Sequence, residues 1–227
     1  MGAFEQAQRL LAWAGEHWND RRLPWRDPQE PHDRRALVEG LLAQTRADAV
    51  AEAYTAIFAG VTTAQDWQML AAEERLRRVA PLGLPVLKQR AVDGIARVIG
   101  GGPFLLSPLP GGLLDKLDAE PGIGPYTAAM VALLLGHPGA PVDTNVDRVG
   151  RRVAPDRTPT IWIAELTAAA AKSSTPPWHP PYVAVSMVLD LGATLCAAWH
   201  LPECERCPLN GECWYSENGK IQRLLPL

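Results

Sequence analysis

Leu117-Asp118-Ala119-Glu120-Pro121-Gly122-Ile123-Gly124-Pro125-Tyr126-Thr127-Ala128 joins two stretches of helical character, and the way it turns decides the fold. Before it, Leu113–Leu117 reads as a short helix; after it, Tyr126–Leu135 is an almost unbroken run of Ala, Val, Met and Leu. Between them Gly122 and Gly124 can take positive φ without a Cβ clash. Such a turn exposes successive backbone N–H groups at the start of the second helix, near Tyr126. A nest of this kind, backed by a helix dipole, binds a phosphate oxygen. Pro-Gly-x-Gly also serves in plain helix–turn–helix connections, so the flanking sequence has to separate the two readings.

Outward from the hairpin the chain reads as helix throughout, with no stretch of clean period two. A first helix places Phe4, Ala7, Leu10, Leu11, Ala14 and Trp18 on one face. Asp33 is placed to cap a helix running through Leu37, Leu41 and Leu42 to about Ile57, and Thr63 to cap the next. Leu76, Val79 and Leu82 form a short apolar face closed by Gly83. Leu87, Ala91, Ile95 and Val98 form another, ended by Gly100–Gly102, and the Gly/Pro-rich stretch 101–112 is a loop. Further helices are expected at Val146–Val153, Trp162–Ala171 and Tyr182–Leu195.

Composition bounds the function. The 227 residues are 47% hydrophobic and 21% charged, as in a globular protein. No apolar run approaches the length of a membrane helix, and Met1–Gln8 lacks the pattern of a signal peptide; the expectation is a cytoplasmic protein with no membrane partner. The net charge is −3 and only Lys88, Lys116, Lys172 and Lys220 are lysines. A nucleic-acid binder is usually basic, because Lys and Arg displace counterions from phosphates, so any DNA-binding surface here must be local.

All four cysteines, Cys196, Cys204, Cys207 and Cys213, fall within one segment of spacing C-x7-C-x2-C-x5-C. Disulfides are rare in the cytosol. Four thiolates on one short loop suit a metal centre, and zinc and a [4Fe–4S] cluster both take four cysteine sulfurs. Two carboxylates also stand out. Asp143, in Val142-Asp-Thr-Asn-Val-Asp-Arg-Val149, precedes a helix and reads on its own as an N-cap. Glu39, in Val38-Glu-Gly-Leu-Leu-Ala-Gln-Thr45, reads alone as a solvated helix carboxylate, although its apolar flanks favour a partly buried site.

Together these segments resemble the helix-hairpin-helix DNA glycosylases of the endonuclease III/MutY superfamily, from about Leu23 to Trp214. The hairpin matches Leu-Pro-Gly-hydrophobic-Gly, with Glu120 where an apolar residue is usual and Pro125 where relatives often have a cation. The cysteines match the family's cluster loop, the first gap being one residue longer than usual, and the resemblance implies a [4Fe–4S] cluster rather than zinc. By the same resemblance Asp143 is the catalytic aspartate that steadies an oxocarbenium ion, and Asn145 orients it. Glu39 protonates the leaving base or positions water. Gln44 fills the gap left by the extruded base. Gly122, Ile123 and Gly124 grip the backbone. Arg148 and Arg151 are available to phosphates or to structural pairs, and Trp25, in Leu23-Pro-Trp-Arg-Asp27, serves the core or the pocket.

Tyr126 sets the branch. Bifunctional endonuclease III has a lysine at this place, whose amine forms a Schiff base with the sugar; a phenol cannot. Gly-Ile-Gly-Pro-Tyr-Thr-Ala looks most like the thymine-mismatch branch, whereas MutY enzymes usually carry serine. MutY enzymes also carry an added C-terminal domain, which is not expected here because the sequence ends at Leu227. The expectation is a monomeric, monofunctional enzyme acting on double-stranded DNA, with T or U opposite G favoured over A. Its fold is expected to be all-α: a lobe of residues 31–135 with the hairpin, a lobe of 1–30 plus 136–227 with the cluster, and a DNA cleft between them. Two rivals stand beside it: a family member that binds DNA without catalysis, suggested by Glu120, Pro125 and the acidic charge, and a zinc-binding helical interaction module that needs only the cysteines.

Overall fold

The computed structural model describes residues 2–100, 112–173 and 179–222. Among these, every regular element is helical: α1 (Ala3–His17), α2 (His32–Leu42), α3 (Ala47–Ile57), α4 (Ala64–Met69), α5 (Ala72–Val79), α6 (Pro85–Ile99), α7 (Leu113–Asp118), α8 (Pro125–Leu134), α9 (Thr144–Val153), α10 (Pro159–Ala170), α11 (Pro180–Ala193) and α12 (Trp214–Gln222). The all-α expectation holds. The loop expected over 101–112 lies outside the described residues except for Gly112, which takes φ 45° just before α7. No helix of the described residues is long and apolar enough to cross a membrane.

The chain forms two units, Asn19–His137 and Met1–Trp18 with Pro138–Leu227. Residues 19–30, expected with the termini, group with the central unit. The buried Arg35 ties them there, its Nη2 donating to the carbonyls of Asp27 (2.8 Å) and Pro28 (3.0 Å). Trp25 adds to the tie, packing against Tyr54 in a tilted arrangement with ring centroids 5.9 Å apart. Trp25 is therefore a core residue of this unit.

In the central unit α2 lies against α6. Gly40 makes the approach possible, since a Cβ there would stand 3.0 Å from the Val92 nitrogen. Ala36, Leu37, Val38 and Leu41 of α2 and Ala91, Val92, Ile95 and Ala96 of α6 are buried, and their burial is the main apolar driving force of the unit. The single helix expected from Asp33 to Ile57 is in fact two. Its interruption has a physical cause: the Leu41 and Ala43 carbonyls, which a continuous helix would bond internally, instead accept hydrogen bonds from the Lys88 ammonium, each at 2.8 Å. The chain then turns through Gln44 at φ 54°. Asp33 does not cap its own helix; Pro31 stands at the N-cap and Asp33 Oδ2 accepts from Ala64 N at 2.7 Å, joining α2 to α4. Thr63 caps α4 as expected, in a reciprocal capping box with Asp66. Those backbone donors hold the Asp66 carboxyl below the usual carboxylate range.

The terminal unit packs α1 on α10 and α11, and α9 on α10 and α11. Ala7, Leu10, Leu11, Ala14 and Trp18 are buried as expected, but Phe4 is 44% exposed. In the first turn the interior position falls to Gln6, whose amide is bonded at both ends: Nε2 donates to the Glu212 carbonyl and Oε1 accepts from Trp162 Nε1, both at 3.0 Å. The helix α11 is apolar nearly all round because it is enclosed on nearly all sides, with Pro181–Val188 buried without a break.

Candidate functional site

The hairpin begins where α7 runs out. Glu120 N donates to the Leu117 carbonyl (3.1 Å) and Ile123 N to the Glu120 carbonyl (3.2 Å), which closes the turn. Gly122 sits at φ 90°, and a Cβ there would come within 3.2 Å of three α6 atoms, the Ala91 nitrogen among them at 3.1 Å. Glycine is thus required twice, for conformation and for space. Gly124 departs from expectation. It is extended, with φ −96°, and caps α8. No protein atom lies within 4 Å of where its Cβ would be. Its smallness serves no internal packing, which leaves the outer face of the turn open for close approach. Pro125 occupies the first position of α8, where its missing N–H is not needed. The N–H groups that follow it have no partner inside the helix, by its geometry. Ile123 is buried and anchors the turn.

Glu120, the departure from the family's apolar residue, has a local explanation. Its stem packs where α6 carries Gly94, whose Cβ would lie 3.0 Å from the Glu120 Cβ, and its carboxylate pairs with Arg97. The apolar contact is kept by the methylenes and the charge is used at the rim.

Glu39 is 2% exposed, so the reading of it as a solvated helix carboxylate is excluded. Gln44 is exposed on the turn between α2 and α3. Tyr126 is half-buried at the second residue of α8. Of the lysines in this unit, Lys116 is exposed on α7 and Lys88 is wholly buried. Sequence reasoning missed the role of Lys88, because a lysine among Leu87, Gln89 and Arg90 looks like any surface cation. It also passed over Leu84, which like Gln44 is an exposed, left-handed, non-glycine residue (φ 48°).

In the terminal unit Asp143 is indeed the N-cap of α9. Its Oδ1 accepts from the backbone of Asn145 (2.8 Å) and Val146 (2.7 Å), and its Oδ2 from Asn145 Nδ2 (3.1 Å). The cap and the functional reading are compatible, since the bonds that cap the helix also fix the carboxylate. Asn145 is fixed in turn by Arg148, whose Nη2 donates to its Oδ1 at 2.6 Å. Arg148 also donates to the carbonyls of Cys196 (2.9 Å), Gly192 (2.6 Å) and Thr144 (3.3 Å). Four of its five N–H donors are engaged within the protein. Of the two readings open for Arg148, phosphate contact or structural pairing, these bonds supply the structural one: it is a strut running from the Asp143 cap to the first cysteine. Gly192 allows it, because a Cβ there would stand 2.6 Å from the Asn145 Cβ. Arg151 pairs with Asp147 on the surface at 2.9 Å, and that hydrogen bond lowers the Asp147 carboxyl pKa.

All four cysteines line one hollow, walled by apolar groups that include Val149, Val153, Leu191 and Leu209. Burial pushes the Cys207 thiol up to about 12 and raises that of Cys213. Arg152 stands over the Tyr215 ring and donates from Nη1 to the Cys196 sulfur at 3.1 Å, which aims a cation at that sulfur. Among the described residues, no group of three or more His, Cys, Asp or Glu side chains is set to hold a single metal ion.

No protein-family model matches the chain. An adenine DNA glycosylase of Mycolicibacterium smegmatis is 33% identical over 211 residues, 91% of this chain and 68% of that protein. A thymine-DNA glycosylase of Aeropyrum pernix is 28% identical over 227 residues, 93% and 94% of the two chains. Among solved structures, a thermostable thymine-DNA glycosylase superposes with a TM-score of 0.67 at 25% identity, covering 93% of this chain and 94% of the other. Endonuclease III in a trapped covalent complex with DNA superposes at 0.54, again 25% identical, covering 82% and 84%.

Proposed function

The chain belongs to the helix-hairpin-helix DNA glycosylases of the endonuclease III/MutY superfamily, near the thymine-DNA glycosylase branch, and we propose that it is a monofunctional member that removes T or U opposite G. Its activity is hydrolysis of an N-glycosidic bond in base-excision repair. The observation that carries the finer reading is Tyr126 at the second residue of α8, where a lyase would need an amine. Lys88 is no substitute, being wholly buried.

In this reading the hairpin holds a phosphate through the outward N–H groups around Gly124 and the start of α8. Gln44 enters the stack as the target base leaves it. Glu39, held out of bulk water, protonates the departing base or positions the attacking water. Asp143 steadies the positive sugar, its carboxylate pre-oriented by Asn145 and the α9 backbone, so no reorganisation is needed as charge develops. Arg148 keeps Asn145 in place.

We assign Cys196, Cys204, Cys207 and Cys213 to one [4Fe–4S] cluster. The shared hollow and the cationic donor at Cys196 fit a centre bound by four thiolates, and the resemblance of the cysteine spacing to the family's cluster loop favours iron–sulfur over zinc. When bound, the cluster cross-links the loop and supplies an electron-transfer centre. Arg148 and Arg152 tie that loop to α9 through the Cys196 carbonyl, both at 2.9 Å.

The test is a single-turnover screen over duplexes carrying U, T, A and oxidised pyrimidines opposite each normal base. Excision confined to T and U opposite G supports the reading; preferred excision of A, or of oxidised pyrimidines with strand cleavage, rejects it.

A further inference from the structure

Lys88 takes no part in the chemistry above, yet it is wholly buried. Its three N–H donors meet three acceptors: the Leu41 carbonyl, the Ala43 carbonyl and the Thr45 hydroxyl. The first closes the last turn of α2, and the other two lie in the short break between α2 and α3. That break contains Gln44, exposed and in the left-handed region at φ 54°, which a non-glycine residue enters only when its surroundings hold it there. The remaining bonds at the break are local and weaker: Thr45 N reaches the Leu42 carbonyl at 3.2 Å and Thr45 Oγ1 the Ala43 carbonyl at 3.3 Å. Among the described residues, the hydrogen bonds that reach this turn from another helix and engage residues on both sides of Gln44 come from the ammonium.

We propose that Lys88 is a positioning residue for Gln44, clamping the α2–α3 turn in the left-handed form that presents the glutamine side chain to DNA. This rests on the reading of Gln44 as the residue that fills the gap left by the extruded base. A lysine that merely closed the end of α2 would stabilise the fold with no link to Gln44. One that positions it must be coupled to Gln44 in the reaction, and a double-mutant cycle measures that coupling.

The experiment uses the full chain. Single-turnover excision from a G·T duplex is measured for Gln44→Ala, Lys88→Met, Thr45→Val and the doubles with Gln44→Ala, with melting temperatures alongside. A nitroxide on Gln44→Cys reports the mobility of the turn. Misplacing Gln44 should slow excision by roughly tenfold to a hundredfold. Lys88→Met is expected to lose about what Gln44→Ala loses, with the double no slower than either. Thr45→Val should show a smaller loss in the same direction, and the label should be freer in both Lys88→Met and Thr45→Val. Losses that multiply in the double, or a label spectrum unchanged by either substitution, overturn the proposal. Should Lys88→Met fail to fold, Thr45→Val, which removes one acceptor of three, gives the same two readings. If Gln44→Ala excises at the wild-type rate, it is the role of Gln44 that has failed, and the label alone decides whether Lys88 holds the turn.

Discussion

Asp143 offers a test in which structural and chemical roles separate cleanly. Its Oδ1 caps α9 through two backbone N–H groups, and its charge is assigned to the transition state. Asn at this position keeps an oxygen where Oδ1 stands and is as good an N-cap as Asp. It removes the charge, and the bond from Asn145 Nδ2 at 3.1 Å must be given up, because an amide nitrogen cannot accept it. Asp143→Asn should therefore melt within a degree or two of wild type and bind a mismatched duplex as tightly. It should excise on the order of 10²–10³-fold more slowly, the scale on which preorganised charge stabilisation acts. Asp143→Ala loses both functions. Loss of an N-cap is worth about 1 kcal/mol, or roughly 2–4 °C for a chain of this size. The assays are calorimetry and single-turnover excision at saturating enzyme. Comparable excision rates in Asp143→Asn and wild type would refute the role. A melting temperature as low in Asn as in Ala would refute the separation.

Three further outcomes follow from the geometry. Gly122→Ala must strain a φ of 90° and press a methyl against the Ala91 nitrogen, so it should destabilise by about 1–3 kcal/mol in chemical denaturation; Gly124→Ala, with open space at its Cβ, should melt normally and bind DNA more weakly in a fluorescence titration. Glu120→Leu should hold the hairpin fold, since it keeps the apolar contact at Gly94 and gives up only the rim pair with Arg97, and its melting curve should overlay wild type. Cys204→Ser leaves three thiolates and no spare cysteine, so the purified protein should hold little iron, lack absorption near ~400 nm and melt at lower temperature.

Much of this was legible in the residues. Helical spacing gave the elements from α7 to α11 to within a few residues, because each is bounded by Gly, Pro or a capping side chain, but it passed over α12. Local pattern failed where distant partners act. Nothing in Leu41–Ala47 breaks a helix on its own; the break is made by an ammonium from α6, and Asp33 is drawn from its expected cap to α4. The glycines of the hairpin divide their labour in a way their spacing hides: Gly122 answers to Ala91 and Gly124 to nothing inside the protein. Arg148 and Arg151 looked equivalent at one turn's separation. Only the fold places the Cys196 and Gly192 carbonyls beside the first, leaving the second on the surface with Asp147. Phe4 shows the limit of periodicity at a chain end, where a helical face can run past the core it serves.

The central claim is a glycosylase that hydrolyses without forming an imine, and borohydride trapping on a G·T duplex tests it most directly. The account rests on the phenol of Tyr126 and the burial of Lys88. Wild-type protein should release thymine, leave the strand uncut until alkali is added, and form no covalent adduct with borohydride; Tyr126→Lys should introduce trapping. An efficient adduct in the wild-type protein, lost on substituting Lys88 or Lys116, would contradict the account and place the chain among the bifunctional enzymes.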